Sequence, residues 1–180
     1  MTLREDSGDI WDRFGKSFIV IPTNIGHKRG SKGLPGPNVM GAGVAAKAAE
    51  QVPGLPQLYG EYCARFGEGT EVTYDLTTGL VLFPTKSLNV ANPGMSWKSK
   101  STIELIRKSA MELANLVTIG ILTRAAVAKH SDTPTTLEDD DIYLPHVGCG
   151  AGGLSLDEVA PVLRSILTDD RFILMRYIPF

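Results

Sequence analysis

The sequence predicts an α/β fold, a single three-layer α/β/α domain around a mixed, largely parallel sheet. Two patterns alternate along the chain and predict it. Short continuous apolar runs are typical of strands buried on both faces. Longer segments with apolar residues at three- and four-residue steps indicate amphipathic helices. The 180 residues, 43% of them hydrophobic, show neither an internal repeat nor a linker, so one domain over residues 1–180 is expected.

Four apolar runs are the predicted strands, at residues 18–21, 80–83, 142–144 and 172–175. The first run is expected to end at Pro22 and the second at Pro84. The third ends in a glycine-rich turn, and the fourth closes the sheet. These strands form the middle layer of the predicted fold.

Helices are predicted between the strands. Residues 40–49 are rich in small residues, and a further helix covers residues 55–66 with one apolar face made of Leu55, Leu58, Tyr62 and Phe66. A strong stripe begins after Ser101 or Thr102, either of which can cap it, and contains Ile103, Ile106, Ala110, Leu113 and Val117. That helix either runs on past Gly120 or gives way to a second one. The last helix opens at Ser155.

The glycine-rich turn before this last helix is the most informative segment of the chain. It consists of Gly148, Cys149, Gly150, Ala151, Gly152 and Gly153. Four glycines in six residues leave the backbone amides bare, and amides clustered before a helix N-terminus form an anion site. A flexible linker is the alternative, but linkers are seldom bracketed by a buried strand and an amphipathic helix. We therefore predict a phosphate-binding loop.

Composition argues against several classes of function. The formal net charge of -2 disfavours bulk electrostatic capture of nucleic acid or of an anionic membrane. Residues 1–6 contain no apolar core of a signal peptide, and the most apolar long stretch, residues 113–128, is interrupted by polar residues. Cys63 and Cys149 form no disulfide framework and, with three scattered histidines, no zinc pattern. A cytoplasmic protein without metal or cofactor is expected.

Three strand ends carry the candidate ligand groups. The first is Thr23-Asn24 with the following turn at Gly41, Gly43 and Val44, the second is Thr85-Lys86, and the third is the turn of residues 148–153. Ligands of open α/β sheets bind beyond the carboxyl ends of the strands. If the three strands are parallel neighbours, both glycine turns, the Asn24 amide and the Lys86 cation face one cleft.

A dinucleotide-binding fold is the competing interpretation, because residues 41–46 formally match the fingerprint G-x-G-x-x-A. A true fingerprint directly follows a strand and is trailed by an acidic residue at the end of a second strand. Here a Pro-Gly-Pro-Asn loop precedes the match, and a Pro-Gly-Leu-Pro segment occupies the place of the second strand. A dehydrogenase is therefore disfavoured, and the Walker lysine signature is absent from the sequence.

The motifs together resemble the macrodomains, a family that binds ADP-ribose. Gly8-Asp9-Ile10 is similar to an early family element whose aspartate accepts a hydrogen bond from the adenine amino group. Thr23-Asn24 with residues 40–45 resembles the first ligand loop, and residues 148–154 resemble the second, which wraps the phosphates and the distal ribose. The order and spacing match over nearly the whole chain. The resemblance implies that Asp9 and Ile10 join the ligand-binding residues named above.

Phe83-Pro84-Thr85-Lys86 resembles one branch of that family more closely. This branch contains antitoxin-type enzymes that remove ADP-ribose from DNA and relatives that remove it from protein carboxylates. The resemblance implies that Lys86 is catalytic. The chain departs from the branch in three places: Gly152 or its neighbours replace an aspartate, Ser87-Leu88 replace an aromatic pair, and Leu156 replaces a tryptophan.

Each candidate residue also has a purely structural interpretation. Asp9 suits a helix N-cap, Asn24 suits a turn residue that stabilises its own loop, and Lys86 suits a counter-ion for phosphate. Cys149 is expected to pack, with its amide rather than its thiol useful to a ligand. The basic loop of residues 27–37 either contacts a macromolecule that carries the modification or is merely solvated.

Three functions remain open at this point. The first is hydrolysis of an ADP-ribosyl linkage on DNA or protein, with Lys86 as nucleophile. The second is a non-catalytic reader of ADP-ribose or of another NAD-derived signal. The third is a phosphatase that acts on ADP-ribose 1''-phosphate. In every case the expected partner is ADP-ribose or an ADP-ribosylated macromolecule, and no membrane is involved.

Overall fold

The computed structural model of the chain describes residues 3–130, 132 and 135–177. The strands in this part are β1 (Arg4–Ser7), β2 (Phe18–Asn24), β3 (Thr73–Asp75), β4 (Leu80–Lys86), β5 (Ile142–Leu144) and β6 (Phe172–Arg176). The α-helices are α1 (Gly43–Gln51), α2 (Leu55–Phe66), α3 (Ile103–Thr118), α4 (Arg124–His130) and α5 (Leu156–Ile166).

All six strands belong to one sheet with the order β1-β6-β5-β2-β4-β3. Only β3 runs antiparallel, against β4, so the predicted mixed and largely parallel sheet is confirmed. The sequence patterns identified the four inner strands and missed β1 and β3. Both missed strands lie at the sheet edges and lack a continuous apolar run, which is why the pattern gave no signal.

Two hydrophobic clusters cover the two faces of the sheet. Along β2, Phe18 and Val20 join the cluster that contains the buried residues of α3 and α5, whereas Ile19 and Ile21 join the cluster under α1 and α2. This alternation follows from the two-residue period of a strand. Each fully buried aliphatic side chain contributes roughly 1.5–3 kcal/mol relative to an exposed one. The three-layer α/β/α architecture is therefore confirmed.

Helix α2 has the predicted ends but buries a different face. Leu58 and Phe66 are exposed, and the buried positions are Leu55, Tyr59, Gly60 and Cys63. The prediction was wrong because a tyrosine inside the core was not anticipated. The Tyr59 hydroxyl lies 2.8 Å from the Thr23 hydroxyl, and this hydrogen bond satisfies the phenol.

The long helical stripe is resolved into two helices. Thr102 caps α3 by accepting a hydrogen bond from the Leu105 amide at 3.2 Å, and the helix ends before Gly120, which adopts a left-handed φ of 76°. Helix α4 then begins separately at Arg124. The glycine conformation interrupts the α-helical path, as it commonly does at helix ends.

Both proline predictions for the strand ends were wrong, since Pro22 and Pro84 lie inside β2 and β4. Strand β5 pairs with β2 only at Phe18 and Ile19, so the β5 side of β2 is open at the level of Pro22. A proline costs no ladder hydrogen bond where no neighbouring strand is paired. The same early end of β5 opens the sheet edge where the candidate site lies.

Candidate functional site

A cleft of about 800 Å³ lies at the carboxyl ends of β2, β4 and β5. Because these strands are adjacent and parallel, the three chemically distinctive loops meet there, as the sequence predicts. The predicted ligand residues that line the cleft are Thr23, Asn24, Gly41, Gly43, Val44, Thr85, Lys86, Gly148, Cys149, Gly150, Ala151 and Gly152.

Asp9, Ile10 and Gly153 were also predicted to bind ligand but do not line this cleft. Asp9 caps the 3-10 helix Ile10–Arg13, and its carboxylate accepts a hydrogen bond from the Trp11 amide at 2.9 Å. Ile10 is buried against the sheet. The helix-cap interpretation of Asp9 therefore describes its contacts in this structure, and an adenine contact remains a prediction.

Asn24 stabilises the segment that leads into the first glycine turn. Its side-chain amide donates to the Val39 carbonyl at 2.9 Å and accepts from the Gly26 amide at 3.0 Å. Asn38 also donates to the Asn24 side chain, at 3.1 Å. Asn24 is buried, and these bonds tie β2 to the segment before the turn. This is the turn-stabilising role, and a ribose contact by Asn24 remains a prediction.

Thr23 and Thr85 are buried at the floor of the cleft and are bonded internally. The Thr85 hydroxyl donates to the Thr23 carbonyl at 3.1 Å. The register between β2 and β4 slips here, because Thr23 pairs with Pro84 but Asn24 pairs with Lys86. Thr85 is thus the extra residue of a bulge, and bulges redirect the side chains that follow them. Lys86 is the last residue of β4 and lines the cleft.

The first glycine turn leads into α1 with its helix end open. Ala42 occupies the N-cap position in an extended conformation and makes no side-chain cap. The first backbone amides of an α-helix have no partner inside the helix. Gly43, Val44 and Ala45 line the cleft, so these donors lie where a ligand anion would be.

The second glycine turn is built differently. Ser155 and Glu158 form a complete capping box on α5: the Ser155 hydroxyl accepts from the Glu158 amide, and the Glu158 carboxylate accepts from the Ser155 amide at 2.8 Å. The start of this helix is thus capped by the protein itself, and no residue of α5 lines the cleft. In the 3-10 turn Gly150–Gly152, which does line it, the Gly150 and Ala151 amides donate to no backbone acceptor of the described residues.

Lys86 is half-buried at one end of the cleft. Its ammonium donates to the Trp97 carbonyl at 2.7 Å. Burial lowers the pKa of Lys86 below its ordinary value, and the positive charge of Lys100 lowers it further. Both effects favour the neutral amine. The described residues that line the cleft include no Asp or Glu that would oppose them.

Of the cleft residues that sequence analysis did not name as site residues, four carry a basic side chain or a hydroxyl: Lys98, Lys100, Ser101 and His146. A signal for them exists in the sequence, because no Asp or Glu occurs at residues 13–49, 76–103 or 142–156. All cleft-lining residues fall in these stretches, although the chain contains 20 acidic residues. Acid-free loops thus mark the rim of a site for an anion.

Burial also shifts the pKa of two other groups in the cleft, Cys149 and His146, in opposite directions. Burial, helped by the charge of Glu158, raises the pKa of the Cys149 thiol. Burial and the charge of Arg176 lower the pKa of His146, and the His146 Nε2 atom is buried without a hydrogen-bond partner among the described residues.

In the described part of the chain, no group of His, Cys, Asp or Glu residues is arranged to hold a metal ion. No helix there is long and apolar enough to cross a membrane.

The basic loop of residues 27–37 forms a hairpin. The Lys28 amide donates to the Pro37 carbonyl at 2.8 Å, and the Gly36 amide donates to the Lys28 carbonyl at 2.9 Å. A Cβ atom at Gly60 of α2 would lie 2.2 Å from the Gly36 carbonyl oxygen, so the hairpin packs directly on a helix glycine. Lys28, Arg29 and Lys32 are exposed, and none of them forms an ion pair with a described carboxylate.

The architecture and the position of the cleft identify the fold as that of a macrodomain. Among solved structures, the chain is similar to the macrodomain of Mycobacterium tuberculosis DarG, with 21% identity, a TM-score of 0.65 and coverage of 98% of this chain and 97% of that one. The Thermus aquaticus DarG macrodomain gives 21% identity, a TM-score of 0.63 and 98% coverage of both chains.

Thermosipho africanus DarTG, solved in complex with ADP-ribose, is similar at 20% identity with a TM-score of 0.62. The match covers 96% of this chain but only 40% of the DarTG chain. The chain matches no protein-family model and no curated protein. These likenesses establish the fold.

Proposed function

We propose that this protein binds ADP-ribose in the cleft and hydrolyses an ADP-ribosyl linkage on DNA or on a protein. The observation that carries the proposal is the juxtaposition of two glycine turns with a lysine whose pKa is lowered. The structure of DarTG in complex with ADP-ribose supports the choice of ligand, because 40% of the DarTG chain matches this fold.

In the proposed complex, the diphosphate of ADP-ribose lies between the two glycine turns. The open end of α1 offers helix amides and a favourable dipole, and the second turn offers the Gly150 and Ala151 amides. A hydrogen bond to a charged group contributes about 1.5–3 kcal/mol. Lys98 and Lys100 add positive charge at the rim, so several weak contacts combine to bind a dianion.

The chemistry assigned to Lys86 requires its neutral amine. The amine would leave the Trp97 carbonyl and attack the anomeric carbon of the distal ribose. As the Nζ–C1'' bond forms, the bond from C1'' to the macromolecule breaks, and the leaving atom takes the electron pair and then a proton from the ammonium. Water afterwards hydrolyses the lysyl adduct and releases ADP-ribose, which restores the amine.

Hydrolysis is tested by Lys86→Ala, with Lys98→Ala as the matched control at the same rim. We expect Lys86→Ala to reduce the release of ADP-ribose from modified DNA or protein by several orders of magnitude, because a covalent route is lost. ADP-ribose affinity, measured by calorimetry, should change by about 1 kcal/mol or less for either variant, since each removes one charge that solvent can still reach. Borohydride should trap ADP-ribose on the wild-type protein if the sugar opens to an imine.

A non-catalytic reader of ADP-ribose is the second candidate. It is favoured by the lack of any carboxylate among the described residues that line the cleft, which leaves no acidic group to activate water. Wild-type protein that binds ADP-ribose but releases none from either substrate would establish the reader. Equal and weak binding of ADP-ribose and unrelated nucleotides would contradict both functions.

A further inference from the structure

Ser101 is a buried polar residue without a hydrogen-bond partner at the Lys86 end of the cleft. Its relative exposure is 5%, and its hydroxyl has no partner within the described structure. Burying a hydroxyl without a partner is unfavourable, so native proteins contain few such groups. Of the other described polar atoms in this condition, only the His146 Nε2 atom also belongs to a residue of the cleft.

The backbone fixes Ser101 between the candidate nucleophile and the second glycine turn. Ser101 forms an antiparallel bridge with Lys86, and the side chains of such a bridge project to the same face. On the other side, the Ser101 amide donates to the Gly152 carbonyl at 2.9 Å. The hydroxyl is therefore held beside both elements that the proposed function uses.

Gly152 packs directly against the Ser101 side chain. A Cβ atom at Gly152 would lie 2.3 Å from the Ser101 Oγ atom, which is closer than any real contact. The hydroxyl thus occupies space that a side chain on the turn would need. Contact between this hydroxyl and a ligand requires the 3-10 turn Gly150–Gly152 to shift, and the glycine backbone accommodates such a shift at low cost.

We infer that the Ser101 hydroxyl is a specificity-determining contact for the sugar that follows the diphosphate. A serine hydroxyl both donates and accepts, which suits the vicinal hydroxyls of a pentose. The contact forms when the second glycine turn adjusts to the ligand. The inference rests on the proposed ADP-ribose site and adds to it a residue that distinguishes ADP-ribose from ADP, which lacks the distal ribose.

The test compares the binding of ADP-ribose and ADP to Ser101→Ala and to the wild type by calorimetry. We expect the variant to bind ADP-ribose about tenfold more weakly, which corresponds to one hydrogen bond of about 1.4 kcal/mol, and to bind ADP as the wild type does. A merely structural role would weaken both ligands equally. Equal losses for both ligands, or no loss for either, overturn the inference.

Ser109→Ala is the matched control, because Ser109 is fully buried on α3 and its hydroxyl donates to the Pro84 carbonyl at 2.8 Å. This variant should melt at a lower temperature and keep the wild-type ratio of the two affinities. Ser101→Ala should melt no lower than the wild type, since it removes an unpaired hydroxyl. If the wild type itself does not bind ADP-ribose, the proposed function fails as well. If the wild type binds ADP-ribose but Ser101→Ala leaves the ratio of the ADP-ribose and ADP affinities unchanged, the role of Ser101 is rejected and the proposed function stands.

Discussion

The two glycine turns of the cleft look alike in sequence, but the helices that follow them differ in how their N-termini are capped. The first leads into α1, whose N-cap Ala42 leaves the helix amides free. The second leads into α5, whose N-terminus is capped by Ser155 and Glu158 and does not line the cleft. A glycine-rich segment before a helix therefore does not by itself locate the anion site. The capping residue determines whether the donors come from the helix end or from the turn.

Ala42→Asp should remove the difference between the uncapped α1 and the capped α5, and we expect it to have the largest effect on ADP-ribose affinity. A carboxylate at the N-cap would bond the free amides of α1 and stabilise the protein by about 1 kcal/mol. The same charge would repel the diphosphate, at a cost of several kcal/mol, so ADP-ribose affinity should fall about a hundredfold or more. Calorimetry and urea unfolding measure the two effects.

Ser155→Ala is the counterpart of this variant at α5. It removes one half of the capping box and should destabilise the protein by about 1 kcal/mol without changing the ADP-ribose affinity. A loss of affinity in Ser155→Ala comparable to that in Ala42→Asp would show that both helix ends bind the ligand.

Alanine at Gly152 and at Gly150 should separate packing from backbone conformation within the second turn. Gly152→Ala collides with Ser101 and is expected to lower the free energy of unfolding by about 1–3 kcal/mol. Ser101→Gly in the same chain should relieve part of that loss. Gly150 has no atom near its missing Cβ but adopts a φ of 65°, so Gly150→Ala should cost about 1 kcal/mol whether or not Ser101 is present.

Urea unfolding of the single and double variants tests this expectation. If Gly152→Ala has the same effect in the wild-type background as in the Ser101→Gly background, the contact between the turn and the serine is ruled out. The collision also gives a physical reason why position 152 carries glycine: Ser101 already fills the space of a Cβ atom there.

The smallest expected effect is a shift in the pH profile of the proposed reaction. Burial, and to a smaller extent the charge of Lys100, lowers the pKa of Lys86. The proposed reaction requires the neutral amine, so kcat should rise with pH through the Lys86 pKa. Lys100→Gln removes that charge, raises the Lys86 pKa and should move the rising limb to higher pH. Lys98→Gln should leave the limb in place. A limb that does not move in Lys100→Gln would contradict the coupling of the two lysines.

The inner strands and the meeting of three loops were predictable because they depend on local apolar runs and on a general rule for parallel sheets. The features that could not be predicted from the sequence depend on contacts between residues that lie far apart along the chain. The Tyr59 phenol is buried because Thr23 meets it, and Ser101 becomes important because Gly152 lies beside it. The edge strand β1 is recognisable only from its pairing with β6, since its own residues are polar.

The early end of β5 has a consequence for how this protein can change. The cleft exists because β5 has only three residues whereas its neighbour β2 has seven. It is not a cavity inside the hydrophobic core. The cleft is lined by loops and by the ends of β2, β4 and α1, whereas the apolar contacts that hold the layers together lie in the two hydrophobic clusters on the faces of the sheet. Substitutions in the loops can therefore alter the accepted ligand without removing the apolar contacts that hold the layers together.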